Sequence, residues 1–274
     1  MKDLLDQLWG GASIWELNIP SSLCIDKTTL DMTLLQTFSY ASSLEIFNSI
    51  NDRENAVDRV AAIVTAVYNP YIQWASKKPM DSKINEFIAV SATINQGTLN
   101  SANYSFEVKQ TCAHPPKSEF TIIGPTFKIW STGGLTPSFS LGANSMSVNF
   151  STKVHMETHG LDSDVIKHRL EWDYPGFKTE NIIPLYPFTR NTGFCGGILV
   201  TDIDSKTQFV GSIKSLTITG LIDGKRVLGK IKDGIYYIEP SDGEVWAYSL
   251  DDDPLGPRIV VAENVLADPM VISW

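Results

Sequence analysis

The sequence predicts a mainly β (α+β) fold, a single large antiparallel barrel preceded by a helical segment. Three observations carry this. From about residue 86 to residue 248, strand-like runs rich in Val, Ile, Thr, Phe and Tyr follow one another, parted by turns such as Asp223-Gly224 and Asp242-Gly243. Helices do not alternate with these runs, which excludes a doubly wound parallel sheet. No repeat with a period of roughly 20–50 residues is present, so a propeller is disfavoured, and so many successive strands must roll up to protect their edges.

The elements follow in order. Residues 2–9 place Leu4, Leu5, Leu8 and Trp9 at helical spacing, opposite Lys2, Asp3, Asp6 and Gln7, and Gly10-Gly11 ends this short amphipathic helix. The stretch 12–26 carries Ile14, Trp15, Leu17 and Ile19; it is too apolar for a solvated tail and is expected to lie over an apolar surface. Helical periodicity dominates from Leu30 to about Ala75, with Ser42 or Ser43 and Asn51 or Asp52 as expected N-caps and Asn69-Pro70 as the stop. Strands are expected at 86–94, 104–111, 119–124, 126–130, 146–157, 197–203, 208–213, 215–222, 227–231 and 235–239. The tail from 250 to 274 reads as loop. The expected organisation is a helix and apolar linker over 1–29, a helical segment over 30–76 and a barrel over 77–274, together one domain.

Composition excludes several classes of function. The chain has 274 residues, 43% hydrophobic and 19% charged, a balance that buries a sizeable core and argues against disorder. The formal net charge is −9, and the longest basic runs are the pairs Lys77-Lys78 and Lys225-Arg226, so nucleic acid is not an expected partner. Cys24, Cys112 and Cys195 are too few and too scattered for a disulfide framework or a zinc site. Acidic residues interrupt the N-terminal apolar stretch, which is therefore not read as a secretory signal, and no run of ~18 apolar residues suits a membrane-spanning helix. A cytoplasmic protein with reduced thiols is the expectation.

No catalytic constellation is visible: GxSxG, P-loop, GxGxxG and HExxH patterns are all missing, and no enzyme activity or cofactor is expected. Cys195, in the turn-like 193-GFCGG-197, reads as a structural cysteine at a strand start, with an exposed nucleophile as the rival reading. His155, Glu157 and His159 share one face of a strand. Because Val154, Met156 and Thr158 form the apolar face, the histidines read as solvent-facing, with a metal or hydrolytic site as the rival reading. The segment 109-KQTCAHPP-116 is more distinctive. It begins at a strand end and stops at two prolines, which cannot donate ladder hydrogen bonds and fix the backbone beside His114. An imidazolium near Lys109 can read a phosphate through charge-assisted hydrogen bonds; an incidental histidine at a β-edge is the plain alternative.

The stretch 108-VKQTCAHPPKSEF-120 resembles the EQVSHHPP fingerprint of the oxysterol-binding-protein-related lipid-transfer family, with the spacing to Phe120 kept. Upstream, 77-KKPMDSKINEF-87 is similar to the family's KPxNPxxGExF stretch, with Lys78, Pro79 and Glu86 in register, and 55–68 matches the helix before it. The segments 196–209, 216–238 and 263–274 resemble the later strands and a closing tryptophan. The resemblance implies an incomplete antiparallel barrel with a central hydrophobic tunnel, closed by the N-terminal helix and linker acting as a lid. It implies a sterol or a phosphoinositide, usually phosphatidylinositol 4-phosphate, carried between membranes, with a lipid and a transiently touched membrane surface as partners. Covering such a ligand removes several hundred Å² of apolar surface from water, at ~25 cal/mol per Å², so the lid must turn apolar residues inward. Trp15, Leu17 and Ile19 are then tunnel-facing, and Tyr68 a polar contact for a sterol hydroxyl. Residue by residue, the resemblance assigns Lys78 and His114 to the lipid headgroup, with Glu86 beside them and Lys109 supplying additional charge.

The departures are specific. Ala113 stands where the family has its first histidine, Lys109 where it has an acid, Asn85 for a glycine and Ser82 for a proline. The family's C-terminal helical segment, with its further basic residues, has no counterpart before Trp274. These changes leave a second reading open, a barrel scaffold that has lost lipid transport and serves as a protein-interaction module.

Overall fold

The computed structural model describes residues 24–28, 30, 41–67, 78–80, 83–96, 100–113, 116–132, 137–141, 144–161, 163, 165–173, 176–181, 191–214, 217–223, 225–232, 235–240, 246–249, 260–263 and 270–272. Strand β1 (Cys24–Thr28) comes first, then helix α1 (Ala41–Ser49), a 3-10 turn at Ile50–Asp52, helix α2 (Ala56–Val67) and strand β2 (Lys78–Met80). β1 and β2 form a small parallel ladder of their own. The barrel strands are β3 (Phe87–Gln96), β4 (Asn100–Ala113), β5 (Pro116–Ile123), β6 (Phe127–Thr132), β7 (Pro137–Leu141), β8 (Ser145–Phe150), β9 (Lys153–His159), β10 (Ile166–Asp173) and β11 (Gly176–Glu180). They continue with β12 (Asn191–Asp202), β13 (Gln208–Lys214), β14 (Thr217–Ile222), β15 (Lys225–Lys232), β16 (Ile235–Pro240), β17 (Trp246–Ser249), β18 (Val260–Glu263) and β19 (Met270–Ile272).

Every ladder in the barrel is antiparallel, as expected. One path of pairings runs β19, β18, β3, β4, β5, β6, β9, β10, β12 and on through β13 to β17. Along its N-terminal half, β12 pairs instead with β11, which continues to β8 and β7. Among the described residues no register joins β17 to β18, so the described sheet is an incomplete barrel. The run 146–157 is not one strand; it breaks at Ser151-Thr152, where pairing changes from the β8–β11 ladder to the β9–β6 ladder. The tail is not all loop either. Its apolar runs Val260–Glu263 and Met270–Ile272 add strands beyond β3.

Alternation sets the faces. On β4, Ala102, Tyr104, Phe106, Val108 and Gln110 are buried while Asn103, Glu107, Lys109 and Thr111 are exposed, the period-two pattern of a half-buried strand. Phe127, Ile129 and Ser131 on β6, and Val154, Met156 and Thr158 on β9, continue the same inner face.

The helices close one side of this core. Helix α1 sends Phe47 against Phe127 (centroids 5.7 Å apart) and stacks it on Trp172 of β10 (6.2 Å). The Thr126 hydroxyl, in the β5–β6 turn, donates to the Asn48 side-chain oxygen at 2.5 Å. Helix α2, with Val60, Ala61, Ala62, Ile63 and Val64 all buried, packs across β12 and β13. Its Arg59 forms a buried ion pair with Asp202 at the end of β12 (2.7 Å) and donates to the Arg53 and Glu54 carbonyls. The capping differs from expectation. Ser42 and Ser43 lie inside α1, Asn51 and Asp52 lie in the 3-10 turn, and the Asn55 side chain caps α2 by accepting from Val57 N–H at 2.9 Å.

Candidate functional site

The end of the barrel carrying the β4–β5 connection joins the two distinctive motifs. Phe87 of β3 pairs with Lys109 of β4, and just before β3 the chain makes a turn over Lys83–Glu86. Glu86 N–H donates to the Lys83 carbonyl (3.0 Å), and the Glu86 carboxylate accepts from Lys83 N–H (2.8 Å). Asn85 adopts φ +64°, a left-handed conformation that Gly and Asn tolerate and branched residues do not. That conformation explains why Asn85 can stand where the resembling family has glycine. Asn85 N–H then donates to the Gln110 carbonyl, and Gln110 N–H to the Glu86 carbonyl, both at 2.9 Å. The lysine–proline stretch is thereby hydrogen-bonded to the histidine–proline stretch.

Gln110 is the residue that sequence reading passed over. It is fully buried, its amide N–H donates to the Cys112 carbonyl (2.6 Å), and its amide oxygen accepts from the buried Ser118 hydroxyl (2.7 Å). Between Gln110 and Cys112 the register with β5 shifts: Gln110 faces Ser118, Cys112 faces Lys117 and Ala113 faces Pro116. Thr111 is the additional residue of this bulge, and its hydroxyl reaches the Lys117 carbonyl at 3.3 Å. A signal for Gln110 existed in the sequence. It occupies an inward position of an alternating strand, where a polar side chain must find partners.

His114 and Pro115 connect Ala113 to Pro116 and lie outside the described residues, as do Tyr68, Trp15, Leu17 and Ile19. Lys78 sits in β2, where it pairs with Cys24, and Pro79 pairs with Ile25. The lysine–proline stretch therefore runs beside the C-terminal end of the apolar linker. Lys109 is exposed on the outer face, across from Glu119 of β5. The inner and outer faces of β4 thus separate Gln110 from Lys109.

The other candidates lie elsewhere. His155, Glu157 and His159 take the face of β9 opposite the buried Val154, Met156 and Thr158. There His155 stacks on Trp130 (5.6 Å) and shares a hydrogen bond with the Thr132 hydroxyl (2.9 Å), while His159 Nδ1 lies 3.1 Å from the Gly160 carbonyl oxygen. Among the described residues no group of three or more His, Cys, Asp or Glu is placed to hold a metal ion. Cys195 lies in β12; burial, more than the opposing pull of Lys178, pushes its thiol pKa up, with Glu180 adding to the rise. Such a thiol is a poor nucleophile at neutral pH.

Rings dominate the described inner wall. Phe106 stacks on Phe120 (6.2 Å), and Tyr104 meets Phe127 (6.1 Å), which in turn meets Phe47. No helix among the described residues is long and apolar enough to cross a membrane.

This architecture, an incomplete antiparallel barrel with helices packed on it, is the ORD fold of oxysterol-binding-protein-related proteins. No family model matches the sequence, and no curated protein matches it. Solved structures do. The Osh1 ORD domain in complex with cholesterol superposes with a TM-score of 0.66 at 11% identity, over 90% of this chain and 59% of that one. The same domain with ergosterol gives 0.61 at 14% identity, over 94% and 62%. The Osh3 ORD of Saccharomyces cerevisiae in complex with PI(4)P gives 0.55 at 13% identity, over 96% and 61%. The chain thus spans about three fifths of the length of these neighbours while nearly all of it takes part in the match.

Proposed function

We propose that this protein is a non-enzymatic lipid carrier of the cytoplasm, taking up a sterol or a phosphorylated phospholipid at the barrel end marked by the β4–β5 connection. The observation that carries this reading is the union of both motif segments at that end, through the Asn85–Gln110 and Gln110–Glu86 backbone hydrogen bonds. The neighbours whose fold it shares were solved with cholesterol, ergosterol and PI(4)P, which supports the choice of ligand class. Lys78 and His114 would read a phosphate, the strongly charged acceptor that their donors suit. The Glu86 carboxylate serves the turn, and Lys109, exposed on the outer face, would meet an anionic membrane surface. Trp15, Leu17, Ile19 and Tyr68 would cover the apolar part of the ligand.

The test is direct. The purified protein is incubated with phosphatidylcholine vesicles containing cholesterol and phosphatidylinositol 4-phosphate, the vesicles are removed, and protein-bound lipid is identified by mass spectrometry. The proposal expects about one retained lipid per chain, and no retained lipid would sink it. A second reading, a barrel that serves as a protein-interaction scaffold, draws on the aromatic packing of the described inner wall. It expects no retained lipid from a fully folded protein, so the same experiment separates the two.

A further inference from the structure

We infer that the junction between the 3-10 turn and strand β9 binds an internal water molecule, which bridges the Asn51 amide oxygen and the Thr158 hydroxyl and completes the docking of the helices on the barrel. This inference is independent of the lipid-binding reading. Both residues lie deep, Asn51 7% and Thr158 0% exposed. Among the described residues neither Asn51 Oδ1 nor Thr158 Oγ1 meets a hydrogen-bond partner. An unmatched buried oxygen carries its full desolvation cost, so protein interiors supply such groups with a protein partner or a water. The Asn51 amide has a set orientation, because its nitrogen donates to Asp52 Oδ1 (3.1 Å) and the flipped amide would set two oxygens against each other. Its oxygen is therefore the group that needs a donor. Neighbouring contacts bring the two oxygens to one place. The Thr126 hydroxyl lies 3.1 Å from the Asn48 carbonyl oxygen, and the Thr126 carbonyl accepts from His159 N–H at 2.8 Å. Phe127, the next residue, pairs with Thr158. Asn51 follows Asn48 by three residues, the spacing that sets side chains on one helical face, and the 3-10 turn meets β9 directly. A water donates to Asn51 Oδ1 and either donates to or accepts from the Thr158 hydroxyl, which meets the two-partner minimum of an internal water.

The experiment pairs a high-resolution crystal structure of the wild-type protein with urea unfolding of variants. The density should show a water within about 2.7–3.2 Å of both Asn51 Oδ1 and Thr158 Oγ1. Thr158→Val keeps the shape of the side chain and removes the hydroxyl, leaving the water one partner short. It should lower the folding equilibrium constant about fivefold. Asn51→Leu, which also removes the bond to Asp52, should lower it about tenfold. The Asn51→Leu/Thr158→Val double variant should lose less than the product of the two single effects, because both act through one water. Thr158→Ser keeps the hydroxyl and should keep the water in its own crystal structure, which leaves the test informative if Thr158→Val folds poorly. An orphaned hydroxyl behaves in the opposite way, since its removal stabilises the fold. Density without a water between the two oxygens, a Thr158→Val protein more stable than wild type, or independent effects in the double variant would overturn the inference.

Discussion

Replacing Asp202 by alanine would test how the helices are held on the barrel. Arg59 and Asp202 meet at 2.7 Å, with side chains 6% and 0% exposed. Removing the carboxylate leaves a buried guanidinium whose remaining partners, the Arg53 and Glu54 carbonyls, are neutral. Breaking a buried pair from one side costs about 3–5 kcal/mol, a large part of a domain's usual ~5–15 kcal/mol. For a protein of this size the midpoint of thermal unfolding should fall by on the order of 10 °C. The carboxylate also accepts from Ser205 N–H at 3.0 Å. Asp202→Asn keeps an acceptor there while removing the charge, and isolates the ion pair. Urea and thermal unfolding followed by tryptophan fluorescence are suitable, because Trp172 stacks on Phe47 of the docked α1. An Arg59→Met/Asp202→Leu double variant should be less damaged than Asp202→Ala, since no unpaired charge remains. A loss below about 0.5 kcal/mol for Asp202→Ala, or a double variant costing the sum of its parts, would refute the reasoning.

Other outcomes follow from the same structure. Burial first, then the charge of Arg59 and a smaller push from Lys167, hold the His168 pKa below its ordinary value, outweighing Asp202 and Asp204. The unfolded chain then binds a proton that the native state resists, so stability should fall as pH drops below about 6.5, and His168→Gln should flatten that fall in urea titrations between about pH 6.5 and 5. A Cβ on Gly211 would press on the Thr219 carbonyl and the buried Phe209 ring, so Gly211→Ala should cost about 1–3 kcal/mol in the same assay. Asn85→Val should cost about 1–2 kcal/mol because of the positive φ, whereas Asn85→Gly should be neutral or mildly stabilising; unfolding midpoints report both.

The parts of the fold visible in the sequence are those where one face is apolar and the other polar. Strands β4, β6 and β9 alternate cleanly, and on β9 the expected apolar face, Val154, Met156 and Thr158, is buried. Strand β10 escaped notice because only Leu170 and Trp172 are buried, among Lys167, His168, Arg169, Glu171 and Asp173. Its backbone partners, not its own pattern, make it a strand. The tail strands escaped for a related reason: Val260–Glu263 and Met270–Ile272 are too short to show a period, and pairing with β3 and with each other defines them. At the candidate site, the two motifs were visible as sequence, but their union was not. It depends on backbone groups of Asn85, Glu86 and Gln110, which any residue type supplies, and on a left-handed turn that Asn only hints at. The Arg59–Asp202 pair, 143 positions apart, carries no local signal at all.

The central claim is that this barrel takes up a lipid whose headgroup is read at the β4–β5 connection. The most direct measurement is transfer between vesicles of fluorescent sterol and fluorescent phosphatidylinositol 4-phosphate, by wild type, His114→Ala and Ala113→His. The account predicts that wild type moves at least one of the two probes. It further predicts that His114→Ala weakens phosphoinositide transfer while leaving sterol alone, and that Ala113→His strengthens phosphoinositide transfer. A folded wild type that moves neither probe would contradict it.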